Sequence, residues 1–156
     1  MVEVSVLTLE HFDQSFELPF YATDGAAGAD IRASIPEKKS LTVRPGERVL
    51  VPTGLCMEIP LGYEIQVRPR SGLSLKSHLM VVNSPGTIDC DYRGEVNIII
   101  GNFGEEPYVI EHGLRIAQLV IGPVIQAKFM VSKSLGITAR GSGGFGSTGS
   151  GTSTNK

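Results

Sequence analysis

Cysteine is scarce in this chain, and the few residues that commonly bind metals lack the usual spacing. Cys56 and Cys90 are the two cysteines among 156 residues, and they form neither a CxxC pair nor a ligand cluster. The three histidines show neither HxH nor HExxH spacing, so ligation of a metal by histidine is not expected. We expect two free thiols rather than a disulfide, which is typical of a protein in the reducing cytoplasm.

Long hydrophobic runs and an excess of basic residues are also missing. No apolar stretch reaches the length needed to span a bilayer, and residues 1–16 do not resemble a signal peptide. The net charge is −2, whereas proteins that bind nucleic acid or membrane surfaces usually carry a basic excess. We therefore predict a soluble, cytoplasmic protein that binds neither nucleic acid nor membrane, although local basic residues could hold a small anion.

Short strands account for most of the predicted structure. Val2, Val4 and Val6 alternate with polar residues, as do the apolar residues of 63–68, so one face of each strand lies in a core. Similar apolar runs occupy residues 41–43, 49–52, 55–59, 96–100, 108–110 and 116–121. Turns rich in glycine and proline separate these runs, and residues 71–77 form the one predicted helix. The pattern predicts an all-β, jelly-roll-like sandwich or barrel rather than an α/β fold.

The composition changes abruptly near the C-terminus. From residue 141 onward the chain is mainly glycine, serine and threonine, with Phe145 as the only aromatic residue. Such a segment buries too little apolar surface to order itself. We therefore predict a single core domain over residues 1–139 and a flexible arm over residues 140–156.

The arm contains a GxGxxG match at residues 141–146, but its context is wrong for a dinucleotide fold. That motif must follow a strand and open a helix, and a P-loop would need lysine where Ser147 stands. The glycine N–H groups, the Arg140 guanidinium and the hydroxyl groups of Ser147 and Thr148 are nevertheless suited to phosphate. Phe145 offers a face on which a base could stack. The alternative is a tail without a function.

Two polar segments of the core have compositions suited to phosphate and to a hydrated cation. Residues 68–76, RPRSGLSLK, place Arg70 and Ser71 at a strand end that leads into the predicted helix, whose N-terminal N–H groups favour an anion. A solvated basic turn is the alternative. Asp30, within AGADI at residues 27–31, could face a hydrated cation or be an ordinary turn carboxylate.

A third polar segment, residues 83–94, has the pattern of a hairpin with a functional edge. Two glycines bracket two carboxylates and a tyrosine between strand-like runs. One carboxylate could act as a general base for water, a role worth ~10²–10⁴ in rate. For Asp91 we expect pairing with a nearby arginine instead. Cys90 is expected to be a small filler, because no histidine lies in the segment to activate it.

Five segments of the chain resemble, in order, the five motifs of the trimeric dUTPase family. They are AGADI (27–31), RPRSGLSLK (68–76), GTIDCDYRGEV (86–96), RIAQLV (115–120) and RGSGGFGSTG (140–149). The resemblance implies a jelly-roll subunit and a homotrimer with active sites at the subunit interfaces. It also implies hydrolysis of dUTP to dUMP and pyrophosphate with Mg²⁺. That reaction limits uracil in DNA and supplies dUMP for dTMP synthesis.

The resemblance implies a role for individual residues of the core. Asp89 would activate the water that attacks the α-phosphate, and Asp30 would orient the magnesium hydration shell without binding the metal directly. Tyr92 would lie under the deoxyribose, where a 2′-hydroxyl would collide with its ring. The implied phosphate contacts are Arg70, Ser71, Gly72 and Gln118. The implied uracil pocket, too narrow for a 5-methyl group, consists of Asn83 and the hairpin backbone from Gly86 through Ile88 to Ile98.

In the arm, the resemblance implies that Phe145 stacks on uracil while neighbouring residues close over the γ-phosphate. These neighbours are Arg140, Gly146, Ser147 and Thr148. The chain departs from the family at Leu114, where an acidic residue usually precedes the arginine of the fourth motif, so a local salt bridge to Arg115 is not expected.

Two other functions compete with the dUTPase hypothesis. A dCTP deaminase, or a bifunctional deaminase and diphosphatase, would need a base beside the pyrimidine amino group, commonly a glutamate. Glu95 is the only glutamate of residues 83–98. A regulatory protein that keeps the fold without the activity would be expected to have lost Asp89, Tyr92, Arg140 or Phe145, and all four are present.

Overall fold

The chain folds into antiparallel sheets with one short helix. A computed structural model describes residues 1–144. In this range the strands are β1 (Ser5–Thr8), β2 (Phe20–Tyr21), β3 (Ala29–Arg32), β4 (Leu41–Val43), β5 (Arg48–Val51), β6 (Leu55–Glu58), β7 (Tyr63–Arg68), β8 (Leu79–Val81), β9 (Gly86–Ile88), β10 (Ile98–Asn102), β11 (Tyr108–Ile110) and β12 (Arg115–Pro123). The helix α1 is Ser71–Ser77, and a 3-10 turn lies at Pro36–Lys38. The predicted all-β, jelly-roll-like fold is confirmed.

The largest sheet has five strands in the order β2-β3-β12-β7-β9. Its central strand, β12, pairs antiparallel with β3 on one side and β7 on the other. Gln118 therefore lies opposite both Asp30 and Arg68. At the edge of the sheet, β9 pairs with β7 and sets Gly86 opposite Val67. This order brings parts of the chain that are far apart in sequence into neighbouring strands.

The remaining strands form a three-stranded sheet, β5-β10-β8, and two pairs, β1-β6 and β11-β4. Inward-facing aliphatic residues of all four sheets form one core, in which Ile31, Ile98, Ile100 and Ile116 are each 1% exposed. Full burial of each such side chain stabilises the fold by roughly 1.5–3 kcal/mol. The alternation of buried and exposed residues along the strands is the period of two that the sequence displays.

Differences from the predicted elements are confined to short strands and strand ends. The helix, β4 and β11 have the predicted bounds. Strands β2, β8 and β9, each of two or three residues, were not predicted, because so short a run gives only a weak alternation signal. β10 begins two residues after the predicted run, because Val96 instead donates its N–H to the Leu55 carbonyl oxygen.

Contacts divide the chain into two compact units, Met1–Ile125 and Gln126–Lys156. All twelve strands and α1 of the described range lie in the first unit. In the second, Gly141 N–H donates to the Thr138 carbonyl oxygen (3.1 Å) and Gly143 N–H to that of Arg140 (3.0 Å). The boundary between core and flexible arm at residues 139 and 140 stays a prediction.

Two further findings concern the cysteines and the helix. Cys56 and Cys90 are both free, which confirms that prediction. Among residues 1–144, no helix is long and apolar enough to cross a membrane.

Candidate active site

Three charged side chains form a cluster at the ends of β3, β7 and β12. Asp30 accepts a hydrogen bond at Oδ1 from Arg70 Nε (2.8 Å) and one at Oδ2 from Arg115 Nη1 (2.9 Å). Arg70 Nη1 also donates to the Arg115 carbonyl oxygen (3.2 Å). The Asp30 side chain is 11% exposed, against 27% for Arg70 and 40% for Arg115. In this Asp30 cluster the carboxylate is therefore shielded while both guanidinium groups reach the surface.

Some guanidinium N–H donors of the Asp30 cluster remain available to bind an anion. A guanidinium carries five N–H donors, and within residues 1–144 Arg70 uses two of them, one to Asp30 and one to Arg115. Arg115 was not among the predicted site residues, because the neighbouring position, Leu114, offers no carboxylate that would indicate an ion pair. The carboxylate that Arg115 binds comes from Asp30, 85 residues away, so no local sequence signal could have identified the pair.

Gln118 of β12 adjoins the cluster and holds the turn that follows β7. Its Nε2 donates to the Pro69 carbonyl oxygen (2.9 Å), one residue before Arg70. A Cβ atom on Gly28 would clash with Gln118 Oε1, so a larger residue there would displace the carboxamide. The predicted phosphate contact of Gln118 stays a prediction. The structure adds that Gln118 positions the backbone beside Arg70.

The first residues of α1 lie directly after this turn. Arg70 occupies the N-cap with extended backbone angles, and no side chain of the described range caps the helix. Ser71 and Gly72 are exposed. Because the first N–H groups of a helix have no partner within the helix, those of α1 remain available beside Arg70. Arg70, Ser71 and Gly72 thus form one polar surface with Gln118 behind it.

A cleft of about 290 Å³ brings the predicted hairpin residues together. Its lining includes Asn83, Gly86, Ile88, Asp89, Tyr92 and Ile98. The Asn83 side chain lies over Gly86, since a Cβ atom there would be 3.0 Å from Asn83 Nδ2. In the described range β9 pairs only with β7. Its other edge therefore offers unpaired backbone N–H and C=O groups to a ligand.

Asp89 and Tyr92 lie at the rim of this cleft and are joined by a turn. Tyr92 N–H donates to the Asp89 carbonyl oxygen (3.1 Å), and the Tyr92 hydroxyl donates to the Glu95 carbonyl oxygen (3.0 Å). The ring packs against Gly94, where a Cβ atom would lie 2.6 Å from Tyr92 Cζ. Asp89 is exposed, and the Tyr92 side chain is partly exposed at 46%. Both side chains are thus accessible to a ligand in the cleft.

The structure corrects one expectation in the hairpin and adds a residue. The arginine of the hairpin, Arg93, pairs with Glu58 (3.3 Å), and Asp91 forms no ion pair within residues 1–144, so the predicted arginine partner of Asp91 is wrong. Glu95 also lines the cleft, but its Oε1 accepts hydrogen bonds from Gly54 N–H (2.7 Å), Thr53 N–H (3.1 Å) and His11 Nε2 (2.8 Å). These partners are 41 to 84 residues away, so no local sequence pattern indicates them.

The predicted site residues therefore fall into two groups in one chain. Asp30, Arg70, Ser71, Gly72 and Gln118 form the first group, and the second consists of the cleft residues Asn83, Gly86, Ile88, Asp89 and Tyr92. No hydrogen bond or ion pair joins the two groups within residues 1–144. Arg140 belongs to the second compact unit, where its Nε donates to the Gly143 carbonyl oxygen (2.9 Å). Phe145, Gly146, Ser147 and Thr148 lie outside the described residues.

The part of the chain that the structure describes contains no cluster of three or more His, Cys, Asp or Glu side chains that could hold a metal ion. The donor set around Asp30 nevertheless fits an outer-shell role. Each Asp30 oxygen accepts one hydrogen bond, and a carboxylate has about four acceptor sites, so it can also accept from water. Mg²⁺ commonly keeps several waters and binds substrate phosphates with few protein ligands.

Comparison with known proteins identifies close relatives over nearly the whole length. The dUTPase family model matches residues 14–149. A deoxyuridine 5′-triphosphate nucleotidohydrolase of Chlamydia felis is 61% identical over 140 residues, which are 88% of this chain and 94% of that protein. The protein of the same name from Roseobacter denitrificans is 56% identical over 149 residues, covering 96% of this chain and 97% of the relative.

Solved structures of phage enzymes share the fold. A mutant dUTPase of Staphylococcus bacteriophage 80alpha with dUpNHpp superimposes with a TM-score of 0.82 at 27% identity, covering 94% of this chain and 98% of the phage chain. A mutant dUTPase of S. aureus phage phi11, described with the coordination of a structural Mg(II) ion, gives a TM-score of 0.72 at 25% identity, covering 85% and 97%.

Proposed function

The chain belongs to the dUTPase family, and on this premise we propose how its residues act on the substrate. As a dUTP diphosphatase it hydrolyses dUTP to dUMP and pyrophosphate. That reaction limits uracil in DNA and supplies dUMP for dTMP synthesis. The observation that carries the proposal is the cleft in which Asp89 and Tyr92 lie beside the unpaired edge of β9.

The cleft is proposed to bind the nucleoside part of dUTP. Ligand pockets commonly have ~300–1,000 Å³, so a volume of about 290 Å³ suits a base and sugar better than a whole nucleotide. Uracil presents an alternating set of hydrogen-bond donors and acceptors, which the backbone groups of β9 can match. Asn83 supports the same strand by lying over Gly86. The narrow walls would exclude a 5-methyl group, and Tyr92 would exclude a 2′-hydroxyl.

Asp89 is proposed as the general base. In-line attack on the α-phosphate requires that a water lose a proton as it forms the new P–O bond, while the bond to the pyrophosphate oxygen breaks. An exposed carboxylate at the rim of the nucleoside cleft can accept that proton. The turn between Asp89 and Tyr92 links the base to the sugar contact, so binding of the correct sugar would orient the α-phosphate before Asp89.

The triphosphate is proposed to bind the polar surface of Arg70, Ser71 and Gly72. Phosphoryl-type transfer depends mainly on positioning and charge neutralisation, which Arg70 and the first N–H groups of α1 supply. Gln118 and Arg140 would add contacts, and in the arm Phe145 would stack on uracil. The remaining arm contacts, with the γ-phosphate, would be Gly146, Ser147 and Thr148. Closure of the arm would exclude water from the reacting phosphate.

Magnesium is proposed as the cofactor, held mainly by the triphosphate. Its chemistry would be to neutralise phosphate charge during the reaction. Asp30 would accept hydrogen bonds from metal-bound water, since its two oxygens have acceptor capacity beyond the two arginine bonds. Arg70 and Arg115 would keep that carboxylate in one orientation.

The chain is proposed to act as a homotrimer whose copies complete each other's sites. Within residues 1–144, no hydrogen bond or ion pair joins the proposed phosphate-binding residues to those of the nucleoside cleft. The β5-β10-β8 sheet adjoins the cleft at Leu50 and Ile99. Exposed apolar side chains lie on its strands and directly after them: Leu50 (59%), Met80 (47%), Val82 (44%) and Phe103 (66%). An exposed apolar face of this kind commonly marks a contact with another chain. A second copy bound there would bring its own phosphate-binding residues towards the cleft.

The competing deaminase function is disfavoured by the environment of Glu95. A deaminase base must reach the pyrimidine amino group, but one Glu95 carboxylate oxygen is already bound by two backbone N–H groups and by His11. Binding to nucleic acid or membrane is not proposed, and a cytoplasmic location, supported by the two free cysteines, stays a prediction.

Product analysis with Mg²⁺ and with dUTP, dCTP, dTTP and UTP offered separately tests the proposal. We expect pyrophosphate from dUTP alone. Asp89→Asn should retain nucleotide binding and lose about 10²–10⁴ in kcat, because the base contributes that much. Asp91→Asn, a carboxylate two residues away without an ion pair in the described range, is the matched control and should keep near-normal kcat.

Near-normal turnover by Asp89→Asn would overturn the assignment of the base. Ammonia released from dCTP would place the chain with the deaminases, and no turnover of any substrate would favour a regulatory protein.

A further inference from the structure

The Tyr92 ring is fixed by two contacts within its own turn. Its hydroxyl donates to the Glu95 carbonyl oxygen (3.0 Å). Its face lies against Gly94, where a Cβ atom would clash with the hydroxyl and lie 2.6 Å from Cζ. The side chain is nevertheless 46% exposed, so little else restrains it. The orientation of the ring therefore depends on where the backbone of Gly94 and Glu95 lies.

That backbone is tied to the core by an antiparallel bridge between Glu95 and Cys56 and, in addition, by the Glu95 side chain. One carboxylate oxygen, Oε1, accepts hydrogen bonds from Gly54 N–H (2.7 Å), Thr53 N–H (3.1 Å) and His11 Nε2 (2.8 Å). The Glu95 side chain is only 19% exposed, and Thr53 is 1% exposed. Loss of this acceptor would leave buried N–H groups unpaired, which makes the contact hard to replace with water.

The receiving turn is itself rigid. Gly54 has φ +69°, and a Cβ atom there would lie 2.8 Å from Phe12 Cα, so its backbone packs directly against that residue. Thr53 Oγ1 also donates to the Val96 carbonyl oxygen (2.6 Å), one residue after Glu95. The Thr53–Gly54 turn is thus held by packing against Phe12 and by the hydrogen bond to Val96, so it can hold the hairpin in place.

From these contacts we propose that Glu95 is a positioning residue that sets the sugar selectivity of the enzyme through Tyr92. The proposal rests on the proposed function, in which Tyr92 lies under the deoxyribose. The carboxylate fixes the Glu95 backbone to the Thr53–Gly54 turn, the Glu95 carbonyl oxygen fixes the Tyr92 hydroxyl, and the fixed ring excludes a 2′-hydroxyl. Without the carboxylate, the ring would shift and admit the ribonucleotide.

The test measures kcat/KM for dUTP and for UTP in wild type, Glu95→Ala and Glu95→Gln. Glu95→Ala should lower the ratio of kcat/KM for dUTP to kcat/KM for UTP by about tenfold, the effect of losing one positioning hydrogen bond. Glu95→Gln keeps an oxygen acceptor for the two N–H groups and should restore most of the ratio. Glu58→Ala, which removes the other carboxylate bound to the hairpin through Arg93, is the matched control and should leave the ratio unchanged.

A purely structural role of Glu95 predicts a different result. It would lower the activity on both nucleotides equally and keep their ratio, and that outcome in folded Glu95→Ala would overturn the proposal. If Glu95→Ala does not fold, Gly94→Ala decides, because its Cβ displaces the same ring from an exposed turn without touching the core. An unchanged ratio in Gly94→Ala would then overturn the proposal. Failure of the wild type to prefer dUTP would instead contradict the proposed function.

Discussion

Two largely buried carboxylates, Asp30 and Asp13, lie in different parts of the fold and differ in how fully they are bonded. Their side chains are 11% and 10% exposed, so burial does not distinguish them. Asp30 accepts one hydrogen bond on each oxygen, from Arg70 and Arg115. About half of its acceptor capacity is left for water or a ligand.

Asp13 is bonded to capacity. Its Oδ1 accepts from Ser15 N–H (2.9 Å) and the Ser15 hydroxyl (2.7 Å), and its Oδ2 from Lys38 Nζ (2.7 Å) and His112 Nε2 (3.1 Å). The Lys38 ammonium, with help from Ser15 and His112, holds the pKa of the Asp13 carboxyl far below its usual range. An ion pair alone therefore does not identify a functional carboxylate. A carboxylate can act on a ligand only if it or its partners still have hydrogen-bonding sites that are not in use.

The largest expected effect is a difference in enzymatic activity between variants of Asp30 and of Asp13. Asp30→Asn should lower kcat/KM for dUTP by about 10–100-fold, because it removes charge-assisted hydrogen bonds worth ~1.5–3 kcal/mol that orient Arg70 and Arg115. Asp13→Asn, the matched change, should keep kcat/KM within about twofold, since the interaction is a structural one. Steady-state kinetics at pH 7 with Mg²⁺ measure both. Equal losses of activity in the two variants would contradict the assignment of Asp30 to the active site and of Asp13 to stability.

Intermediate effects on activity and stability are expected at two glycines, one beside the Asp30 cluster and one next to His112, the partner of Asp13. Gly28→Ala would displace the Gln118 carboxamide from Pro69 and should lower kcat/KM up to about tenfold, the worth of one hydrogen bond. Gly113, beside His112, has φ +87°. Gly113→Ala should instead cost about 1–2 kcal/mol of stability through backbone strain, with little change in kcat/KM.

Thermal unfolding and steady-state kinetics of Gly28→Ala and Gly113→Ala measure the effect of each variant on stability and on activity. The expected pattern is an activity defect at Gly28 and a stability defect at Gly113. The reverse pattern would mean that the assignment of the two regions to catalysis and to stability is mistaken.

The smallest effect concerns stability and pH. Because the folded state lowers the pKa of Asp13, its carboxylate stabilises the fold fully above the unfolded pKa of about 3.9, and this contribution is lost as the pH falls towards the lower folded value. Asp13→Asn should therefore lower Tm at pH 7, and the difference from wild type should shrink steadily below pH 4. A difference in Tm that stays constant down to pH 2 would contradict the ionic role of Asp13.

Part of the fold and of the site was predictable from local patterns. Helix α1 and strands β4 and β11 have their predicted bounds, because alternation and turn residues act over a few positions. The five motifs identified Asp89, Tyr92 and Arg70, and the structure places the first two at one cleft and the third in the Asp30 cluster. Their roles in catalysis stay proposals, to be tested as above.

Other features could not be predicted because they depend on strand pairing. Arg115 reaches Asp30 only because β12 lies beside β3, with a register shift between Arg115 and Ala117. Glu95 binds the Thr53–Gly54 turn, and within residues 1–144 Asp91 lacks the expected arginine partner, because Arg93 pairs with Glu58 instead. None of these partners is close in sequence.

The sequence by itself determined the all-β class, the family and the identity of most candidate site residues, because residue periodicity and short motifs are local properties of the chain. The tertiary structure alone decided which carboxylate is saturated and which keeps acceptor capacity, and which backbone turn supports the Tyr92 ring. Contacts between residues up to 99 positions apart contribute to those decisions, together with the nearer Ser15 and Lys38 contacts of Asp13, and the long-range contacts exist only once the sheets have set their register.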